Sequence, residues 1–209
     1  MVTRVPFDHY SFTRCEGYGH EGAIFRVDKT SCIKVYAAHR TSSAQREYNM
    51  LERLSQDGVA VPLAYDLFAF EVPAGGFVLP SKETSFGAES TRLHYGEGTV
   101  LRGIHKEWIP GKVFGSFLPF PWHISGAFEL FSSLYEKGYS LRDPTPENFV
   151  ARRKGVSCID ASHIFVGDSG HTFKEAWRTF LLDLNSLHSS QFGSSLVSLE
   201  TLLYLAREE

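Results

Sequence analysis

The residues most suited to catalysis lie between Arg142 and Asp160. Asn148 follows Asp143 at the fifth position, and Ile159-Asp160 comes a dozen residues later. This order can place a hydroxyl nucleophile and divalent metals around a nucleotide, with Asp143 orienting the hydroxyl. Asn148 and Asp160 offer the hard oxygen donors that Mg²⁺ prefers. Because an Asp and an Asn at this spacing also occur by chance, the prediction of a phosphate-transfer site depends on the residues upstream.

A glycine-rich segment, Gly17-Tyr18-Gly19-His20-Glu21-Gly22, lies upstream. Glycine lets a backbone approach phosphates closely because it has no Cβ. The same string could open a dinucleotide-binding unit, which needs a hydrophobic strand before it and a helix after it. Here the preceding residues are poor in β-branched side chains, and Ile24-Phe25-Arg26-Val27 alternates like a strand. The pattern favours a hairpin that covers phosphates through Gly17, Gly19 and Gly22, with an ordinary turn as the alternative.

A lysine, Lys34, stands inside the apolar segment 31–36. Lysines are rarely buried without a partner, so an outward-facing surface lysine is the alternative. Apolar residues at 44, 48, 51 and 54 then have helical spacing, and Ser42 or Ser43 can cap the start of this helix. Glu47 lies beside the apolar stripe. A Lys34–Glu47 ion pair would hold the lysine against the α- and β-phosphates.

The remaining elements follow in order. Residues 61–70 are predicted to form a strand, and residues 71–98, which show little periodicity, a β-hairpin or a loop insertion. Another strand runs from Thr99 until Pro110-Gly111 breaks it. Apolar residues between Ile124 and Lys137 have a helical pattern that ends at Gly138.

Taken together, these segments resemble the protein kinase superfamily over nearly the whole chain. The glycine-rich segment resembles the family's glycine loop, Lys34 its phosphate-binding lysine and Glu47 the partner of that lysine. The resemblance implies an α+β fold, a minimal bilobal kinase with a β-rich N-lobe and a truncated helical C-lobe. We expect a single domain over residues 1–209 with the N-lobe at about 10–106, the hinge at about 107–111 and the C-lobe at about 112–209.

The resemblance also implies ATP and Mg²⁺ as cofactors. The main-chain groups of Glu107 and Ile109 would pair with adenine, and the side chains of Ile24, Cys32 and Val150 would sandwich its ring. The catalytic residues would be Asp143, Lys34 and Glu47, and the metal ligands Asn148 and Asp160.

Several positions depart from the kinase pattern. Leu141 stands where the catalytic loop usually has His, and Thr145 replaces the basic residue that usually contacts the γ-phosphate. Asp160-Ala161-Ser162 replaces the usual Asp-Phe-Gly, and Lys106 occupies the gatekeeper position. Residues 161–209 are too few for a normal activation segment and the helical subdomain behind it. Substrate would therefore be recognised by other surfaces.

The truncation is similar to that of the minimal kinases that bacterial pathogens inject through type III secretion, and most similar to the HopBF family. This resemblance rests on size and truncation. It implies a virulence effector that is secreted by a bacterium and acts in the host cytoplasm, where it phosphorylates and inactivates the ninety-kilodalton heat-shock chaperone. Other injected minimal kinases bind ubiquitin-charged conjugating enzymes, which leaves that partner open. The kinase core is expected to begin near residue 10, which leaves little room for a secretion signal.

Three functions remain open at this point. The first is an active Ser/Thr protein kinase, and the second is a pseudokinase that acts as a binding module or client mimic, as Thr145 and Ala161-Ser162 suggest. The third is a small-molecule kinase of the aminoglycoside or lipopolysaccharide-sugar type, which needs a larger C-terminal helical region.

Two further expectations concern regulation and partners. We expect activity without phosphorylation of an activation segment, with Arg142 paired to a carboxylate or to main chain; the conceivable acceptors are Ser162, Ser169 and Thr172. The connection from the first helix to the next strand, residues 56–62, is the candidate surface for partner recognition, and a plain connecting loop is its alternative.

Composition excludes several classes of protein. The chain has 209 residues, 43% of them hydrophobic, which is enough for a substantial core. The net charge of −3 and one short basic run, Arg152-Arg153-Lys154, make nucleic acid an unexpected partner. We find no membrane-length apolar run and no signal-peptide region, and three scattered cysteines argue against a disulfide framework or zinc site. A soluble monomer is expected, with the 17 Phe residues used in core packing.

Overall fold

The structure is a computed structural model that describes residues 2–81, 84–85, 88–89, 92–167, 170 and 172–193. The chain divides into two compact units by its internal contacts. The first unit comprises residues 1–52 and 62–108, and the second comprises residues 53–61 and 109–209. The single domain and the lobe boundaries expected from the sequence stay predictions.

The first unit is built on a six-stranded sheet. The sheet contains β1 (Thr3–Arg4), β2 (Cys15–Tyr18), β3 (Gly22–Arg26), β4 (Ser31–Tyr36), β5 (Ala64–Glu71) and β10 (Val100–Glu107). Outside the sheet, the unit also has β6 (Phe77–Pro80), β7 (Thr84–Ser85), β8 (Ala88–Glu89) and β9 (Arg92–Tyr95). The sheet has the order β1-β5-β10-β4-β3-β2, and all its pairs are antiparallel except β1 with β5. Helix α1 (Thr41–Gln56) begins in this unit.

Strand β4 is buried over its whole length, because both faces of the sheet are covered. On one face, Ile33 and Val35 join an apolar cluster that includes Phe25 and Phe68. On the other face, a second cluster contacts α1. Its buried members are Tyr36, Ala44, Leu67 and Ile104. Burial on both faces explains why residues 32–36 of this strand are apolar except at the lysine.

Many of the phenylalanines lie in the core, as the sequence suggested. In the first unit, the rings of Phe7, Phe12, Phe70 and Phe77 contact one another with centroids 5.1–5.9 Å apart. Phe120 is an exception, since it is 52% exposed and stacks on the exposed Trp122.

Helix α1 begins earlier than expected. A 3-10 turn at Ala38–Arg40 leads directly into α1 at Thr41, so Ser42 and Ser43 lie inside the helix. The prediction that one of them caps the helix is therefore wrong. Ser43 is buried, and its hydroxyl accepts a hydrogen bond from Arg46 at 3.2 Å.

Residues 71–98 contain the expected hairpin. Strands β6 and β9 pair antiparallel from Phe77 with Tyr95 to Pro80 with Arg92, and the short strands β7 and β8 pair between them. Residues 82–83, 86–87 and 90–91 of this insertion lie outside the described part of the chain.

In its described residues, the second unit combines two helices with two small sheets. Its elements are β11 (Lys112–Val113), α2 (Pro121–Glu136), β12 (Tyr139–Leu141), β13 (Phe149–Ala151), β14 (Val156–Cys158), β15 (Ile164–Val166) and α3 (Phe173–Phe192). The sheets have the orders β11-β13-β14 and β12-β15. Helix α2 starts at Pro121, whose fixed φ suits the first helical position. It ends before Gly138, which has the positive φ of 78° that the expected stop requires.

Helix α3 was not predicted from the sequence. Thr172 and Glu175 form a capping box at its start, and Gly193 follows its end with a φ of 69°. Its apolar stripe packs into an aromatic core in which Phe180 contacts Phe131 and Phe149. The sequence carried these start and stop signals, but residues 161–209 were interpreted only as too short for the usual subdomain.

The connection that follows α1 is largely held within the second unit. Val59 and Val61 are buried, and the carbonyl of Ala60 accepts a hydrogen bond from the Cys158 N–H at 3.0 Å. The Tyr139 hydroxyl donates to the carboxylate of Asp57. Within residues 56–62, Gln56–Gly58 and Ala60 are thus exposed, whereas Val59, Val61 and Pro62 are buried, and partner recognition by this segment stays a hypothesis.

None of the helices in the described ranges combines the length and the apolarity that a bilayer crossing requires.

Candidate active site

The glycine segment forms a hairpin between β2 and β3, closed by the Gly19 N–H donating to the Gly22 carbonyl at 2.9 Å. Its glycines serve two purposes. A Cβ on Gly17 or Gly19 would meet nothing within 4 Å, so the backbone there stays approachable. A Cβ on Gly22 would lie 1.9 Å from the Val35 carbonyl oxygen, so this glycine is needed for the close approach of β3 to β4.

Lys34 is a buried lysine, and the outward-facing alternative is wrong. Its residue is 4% exposed, and its Nζ lies 2.7 Å from Oε2 of Glu47. Glu47 is fully buried and also accepts a hydrogen bond from the Tyr36 hydroxyl. The ion pair expected between Lys34 and Glu47 is therefore present, and its function in phosphate binding stays a prediction.

The position of Glu47 follows from the helical period of α1. Ala44 and Leu51 are fully buried on the face that packs on the sheet, and Glu47 lies three residues after the one and four before the other. A carboxylate in that stripe must enter the apolar layer, where it requires cationic partners.

Lys106 is a second partner of this carboxylate, which sequence reasoning missed. The Nζ of Lys106 lies 2.8 Å from Oε1 of Glu47, and its side chain is 3% exposed. From the sequence, Lys106 was expected only to occupy the gatekeeper position of the kinase pattern. In the structure, the Lys106 ammonium group is paired with Glu47. The sequence alone could not show this, because it does not record that β10 pairs with β4.

Glu21 is a further carboxylate near Lys34. It lies in the glycine hairpin, and its Oε2 is 3.6 Å from the Lys34 Nζ. The sequence interpretation treated this residue only as a spacer between glycines. Lys34 therefore has acidic neighbours from both the hairpin and α1.

The residues of the first unit assigned to adenine have different surroundings. Cys32 is 3% exposed, and Ile24 and Glu107 are half-buried. The Glu107 N–H donates to the Leu63 carbonyl at 2.8 Å, and the pairing of its main-chain groups with adenine stays a prediction. The Cys32 thiol points at the Glu107 carbonyl, with Sγ at 3.8 Å. Burial raises the pKa of the Cys32 thiol, which favours its neutral form.

The loop that carries Asp143 is fixed at both ends within the second unit. β12 precedes it, and the Arg142 N–H donates to the His163 carbonyl at 3.1 Å. A 3-10 turn at Pro146–Asn148 leads into β13, and α3 packs against this turn. Asp143 itself is half-buried, and the Thr145 hydroxyl donates to its Oδ1. Thr145 thus orients the carboxylate at the position where a basic residue was expected.

The two candidate metal ligands lie on adjoining segments of backbone. The Ile159 N–H donates to the Asn148 carbonyl at 2.8 Å, which joins the residue before Asp160 to Asn148. Oδ1 of Asp160 accepts from the Ser162 N–H at 3.1 Å. An amide oxygen and a carboxylate fit the ligand preference of Mg²⁺.

The residues after Asp160 are small and buried. Ala161 and Ser162 are 0% and 1% exposed. Ser162 is therefore not accessible as a phosphate acceptor, and Thr172 caps α3. Ser169 lies outside the described residues. The Arg142 side chain is exposed and makes no hydrogen bond or ion pair with another described residue, contrary to the pairing we expected.

Val150 and Ile109 lie in the second unit, 4% and 6% exposed. Val150 is on β13, whose neighbour β11 pairs with it at Val113. A Cβ on Gly111 would lie 2.3 Å from the Ala151 carbonyl, so the Pro-Gly pair that ends the hinge segment packs closely on β13.

Asp183 is an acidic residue of α3 that sequence reasoning missed. Partial burial raises its pKa, and the nearby Asp143 raises it further. The sequence does not connect Asp183 to the Asp143 loop, because their proximity depends on α3, which was not predicted.

Comparison with known proteins identifies the fold. Neither a protein-family model nor a curated protein matches the chain. Among solved structures, WbdD in complex with the kinase inhibitor LY294002 is 13% identical with a TM-score of 0.55, over 93% of this chain and 44% of that one. Monomeric WbdD is 13% identical with a TM-score of 0.52, over 90% and 45%. A high-resolution WbdD structure is 14% identical with a TM-score of 0.55, over 93% and 45%.

The chain spans less than half the length of the WbdD chains that it matches. At this identity the likeness shows the fold, which is mixed α+β and protein-kinase-like, as the sequence predicted. The HopBF resemblance is not supported at family level by these comparisons and stays a hypothesis.

Proposed function

We propose that the chain is a phosphotransferase that moves the γ-phosphoryl group of ATP, with Mg²⁺, to a Ser or Thr hydroxyl of a protein. The observation that carries the proposal is the buried Lys34–Glu47 pair beside the glycine hairpin of a kinase-like fold. Burying a lysine and a glutamate side by side costs several kcal/mol of desolvation, roughly, so an apolar pair would serve stability as well or better. A functional reason for the pair is therefore favoured.

In this proposal, Lys34 binds the α- and β-phosphates while Glu47 holds its ammonium group in place. The hairpin backbone at Gly17 and Gly19 would cover the phosphates, and a Cβ there would meet nothing within 4 Å, so the backbone can approach them. When bound, Mg²⁺ supplies positive charge to the phosphates, and Asn148 and Asp160 are the residues that would hold it.

Asp143 would accept the proton of the attacking hydroxyl. Because the Thr145 hydroxyl occupies Oδ1, Oδ2 is the oxygen left to meet the acceptor. Thr145 brings no positive charge, so the charge on the transferred group is met by Lys34 and the metal.

The test is transfer of label from γ-labelled ATP to protein. Asp143→Asn and Lys34→Met should each lower transfer by about 10²- to 10⁴-fold, the range for removing a group that acts on the reacting atoms. Lys29→Met, at an exposed lysine in the turn before β4, is the matched control and should transfer like wild type. Undiminished transfer by the Asp143 variant would overturn the assignment.

A pseudokinase that acts as a binding module is the alternative that Thr145 and the buried Ala161-Ser162 pair support. Calorimetry would then show nucleotide binding while no labelled phosphate reached any protein, including the chain itself.

A small-molecule kinase gains support from two observations. Helix α3 adds a helical element of 20 residues after Asp160, and Asp183 places a second carboxylate near Asp143. Two neighbouring carboxylates would attract a cationic acceptor such as an aminoglycoside. Phosphorylation of an aminoglycoside panel, with no labelled protein, would select this function.

The cellular target is also a proposal. We infer from the HopBF resemblance that a host protein such as the ninety-kilodalton heat-shock chaperone is phosphorylated and inactivated after type III secretion. Recognition through residues 56–62 could use only the exposed positions of that segment, Gln56–Gly58 and Ala60. Incubating the protein with labelled ATP, Mg²⁺ and eukaryotic cytosol tests the target, and a dominant band other than the chaperone would refute it.

A further inference from the structure

We propose that Lys106 is a positioning residue: by holding the second oxygen of Glu47, it keeps the first part of α1 docked on the sheet without nucleotide or activator. The two oxygens of the carboxylate are bound separately. Lys34 lies 2.7 Å from Oε2, and Lys106 lies 2.8 Å from Oε1. Charge-assisted hydrogen bonds of this kind are about twice as strong as neutral ones.

The strand register explains why both ammonium groups reach one carboxylate. Lys34 of β4 is paired directly with Ile104 of β10, and Lys106 lies two residues after Ile104. Residues two apart on a strand face the same side, so both lysines project from the face of the sheet that α1 covers. Tyr36, two residues after Lys34, projects from the same face and adds its hydroxyl to Oε2.

Burial makes an outward movement of α1 unfavourable. The exposed fractions of the side chains are 0% for Glu47, 3% for Lys106 and 6% for Lys34. If Glu47 left its place, two like charges would remain close together in an apolar layer without that carboxylate between them. Removing one partner of a buried ion pair is strongly destabilising for this reason. If Lys106 were replaced by an uncharged residue, of these two lysines only Lys34 would oppose the outward movement of α1.

Apolar packing acts in the same direction. Ala44 of α1 lies in one cluster with Tyr36, Leu67 and Ile104, and Tyr48 packs against that cluster. The helix segment 44–52 is therefore held by contacts that surround the ion cluster on the same face. The structure assigns to Lys106 the electrostatic part of this attachment.

The inference concerns the residues that the proposed function uses, but its main test needs no catalysis. Hydrogen exchange of the amides in residues 44–52 is measured by mass spectrometry, with and without Mg²⁺-ATP. In the wild type, we expect nucleotide to slow exchange there by less than about threefold, because the segment is already docked. Protection that rises more than about tenfold on nucleotide binding would overturn the proposal even if the protein proves to be a kinase.

Variants separate positioning from general stability. Lys106→Met should speed exchange in residues 44–52 by about 10- to 100-fold, the size expected for one charged hydrogen bond to a buried group, while exchange in α2 stays unchanged. Lys106→Gln, which retains a donor, should lie between Met and wild type. The matched control is Glu52→Gln, at an exposed position of the same helix. Uniform acceleration in α1 and α2 would identify a purely structural residue and refute the proposal.

Kinetics provide a second readout if the proposed function holds. Lys106→Met should lower kcat more than it raises the KM for ATP, since Lys34 would still bind phosphate but with a less fixed partner. A rise in KM alone would contradict positioning and indicate that Lys106 shapes the nucleotide pocket. If Lys106→Met does not fold, the wild-type exchange and the Lys106→Gln variant still decide the question.

Discussion

Thr145 shows how a single residue alters the site. It stands where kinases usually carry a basic residue, and its hydroxyl donates to Asp143. With Thr145 in place of that basic residue, the loop loses a positive charge, and the hydrogen bond from Thr145 holds the Asp143 carboxylate in one orientation. If Asp143 acts as the proposed function requires, a carboxylate held in one rotamer would lose less conformational freedom on binding the acceptor hydroxyl.

Substitution of Thr145 measures this orientation. Thr145→Val keeps the shape and removes the hydroxyl, so kcat should fall by roughly threefold to tenfold, the size of one neutral hydrogen bond. Thr145→Ser retains the hydroxyl and should stay near wild type. Steady-state phosphotransfer at saturating ATP gives the comparison, and equal rates for the Val and Ser variants would show that the contact has no catalytic effect.

Two aspartates should show opposite pH dependence of stability. The pKa of Asp28 is lowered to about 2, from an ordinary 3.8, first by the Thr30 N–H and then by the hydroxyls of Ser31 and Thr30. Asp28 therefore stabilises the fold above 3.8, and this contribution is lost as pH falls towards 2. Asp28→Asn should lower the Tm at neutral pH, and the difference should shrink in acid.

The pKa of Asp183 is raised, so its contribution has the other sign. The folded state retains the proton of Asp183 to higher pH than the unfolded state does, and stability falls as pH rises above 3.8 through the folded pKa. Asp183→Asn should raise the Tm at neutral pH and leave it unchanged well below 3.8. Thermal unfolding from pH 3 to 8 follows both variants, and a neutral-pH loss for Asp183→Asn would contradict the raised value.

Among the structural elements, the glycine hairpin has one glycine that packs on the sheet and two that leave the backbone accessible. Gly22 approaches β4 so closely that a Cβ would overlap the Val35 carbonyl, whereas Gly17 and Gly19 face open space. One motif thus contains a glycine that the sheet needs and two that leave the backbone accessible.

Alanine substitution should reveal these two classes. Gly22→Ala should destabilise the fold by about 1–3 kcal/mol or more, as overpacking does, and lower the Tm. Gly19→Ala should leave the Tm near wild type and, if the hairpin covers the phosphates as proposed, raise the KM for ATP, because the added methyl group would obstruct the backbone there. Thermal unfolding and ATP titration of both variants give the result, and equal Tm losses would show that access and packing are not separated.

For the whole molecule, two of the candidate phosphate acceptors between Asp160 and α3 lie in the described part of the chain, and both are engaged or buried. Ser162 is buried, and the Thr172 side chain is engaged with Glu175 at the start of α3. We therefore expect activity without phosphorylation of this interval. Protein treated with phosphatase and verified by mass spectrometry should transfer label at the untreated rate, and loss of activity on removing a phosphate from residues 161–175 would contradict the expectation.

Local patterns in the sequence were sufficient for much of the fold. The glycine hairpin, the lysine strand, the insertion hairpin and α2 were all predicted in the correct order, because alternation, helical spacing and glycine positions act over short distances. Helix α3 carried equally local signals at Thr172, Glu175 and Gly193. These signals predict a helix only locally, and the kinase pattern places no helix so soon after its metal-binding Asp in a chain of this length.

Residue types and their spacing are enough to predict which side chains could do chemistry, because they fix the available donors, acceptors and charges. How those charges are shared depends on the fold. Lys106 and Glu47 are 59 residues apart, and they meet because β10 pairs with β4 and α1 covers the face from which both lysines project. Such a contact depends on strand order and burial, and no local pattern in the sequence records either of them.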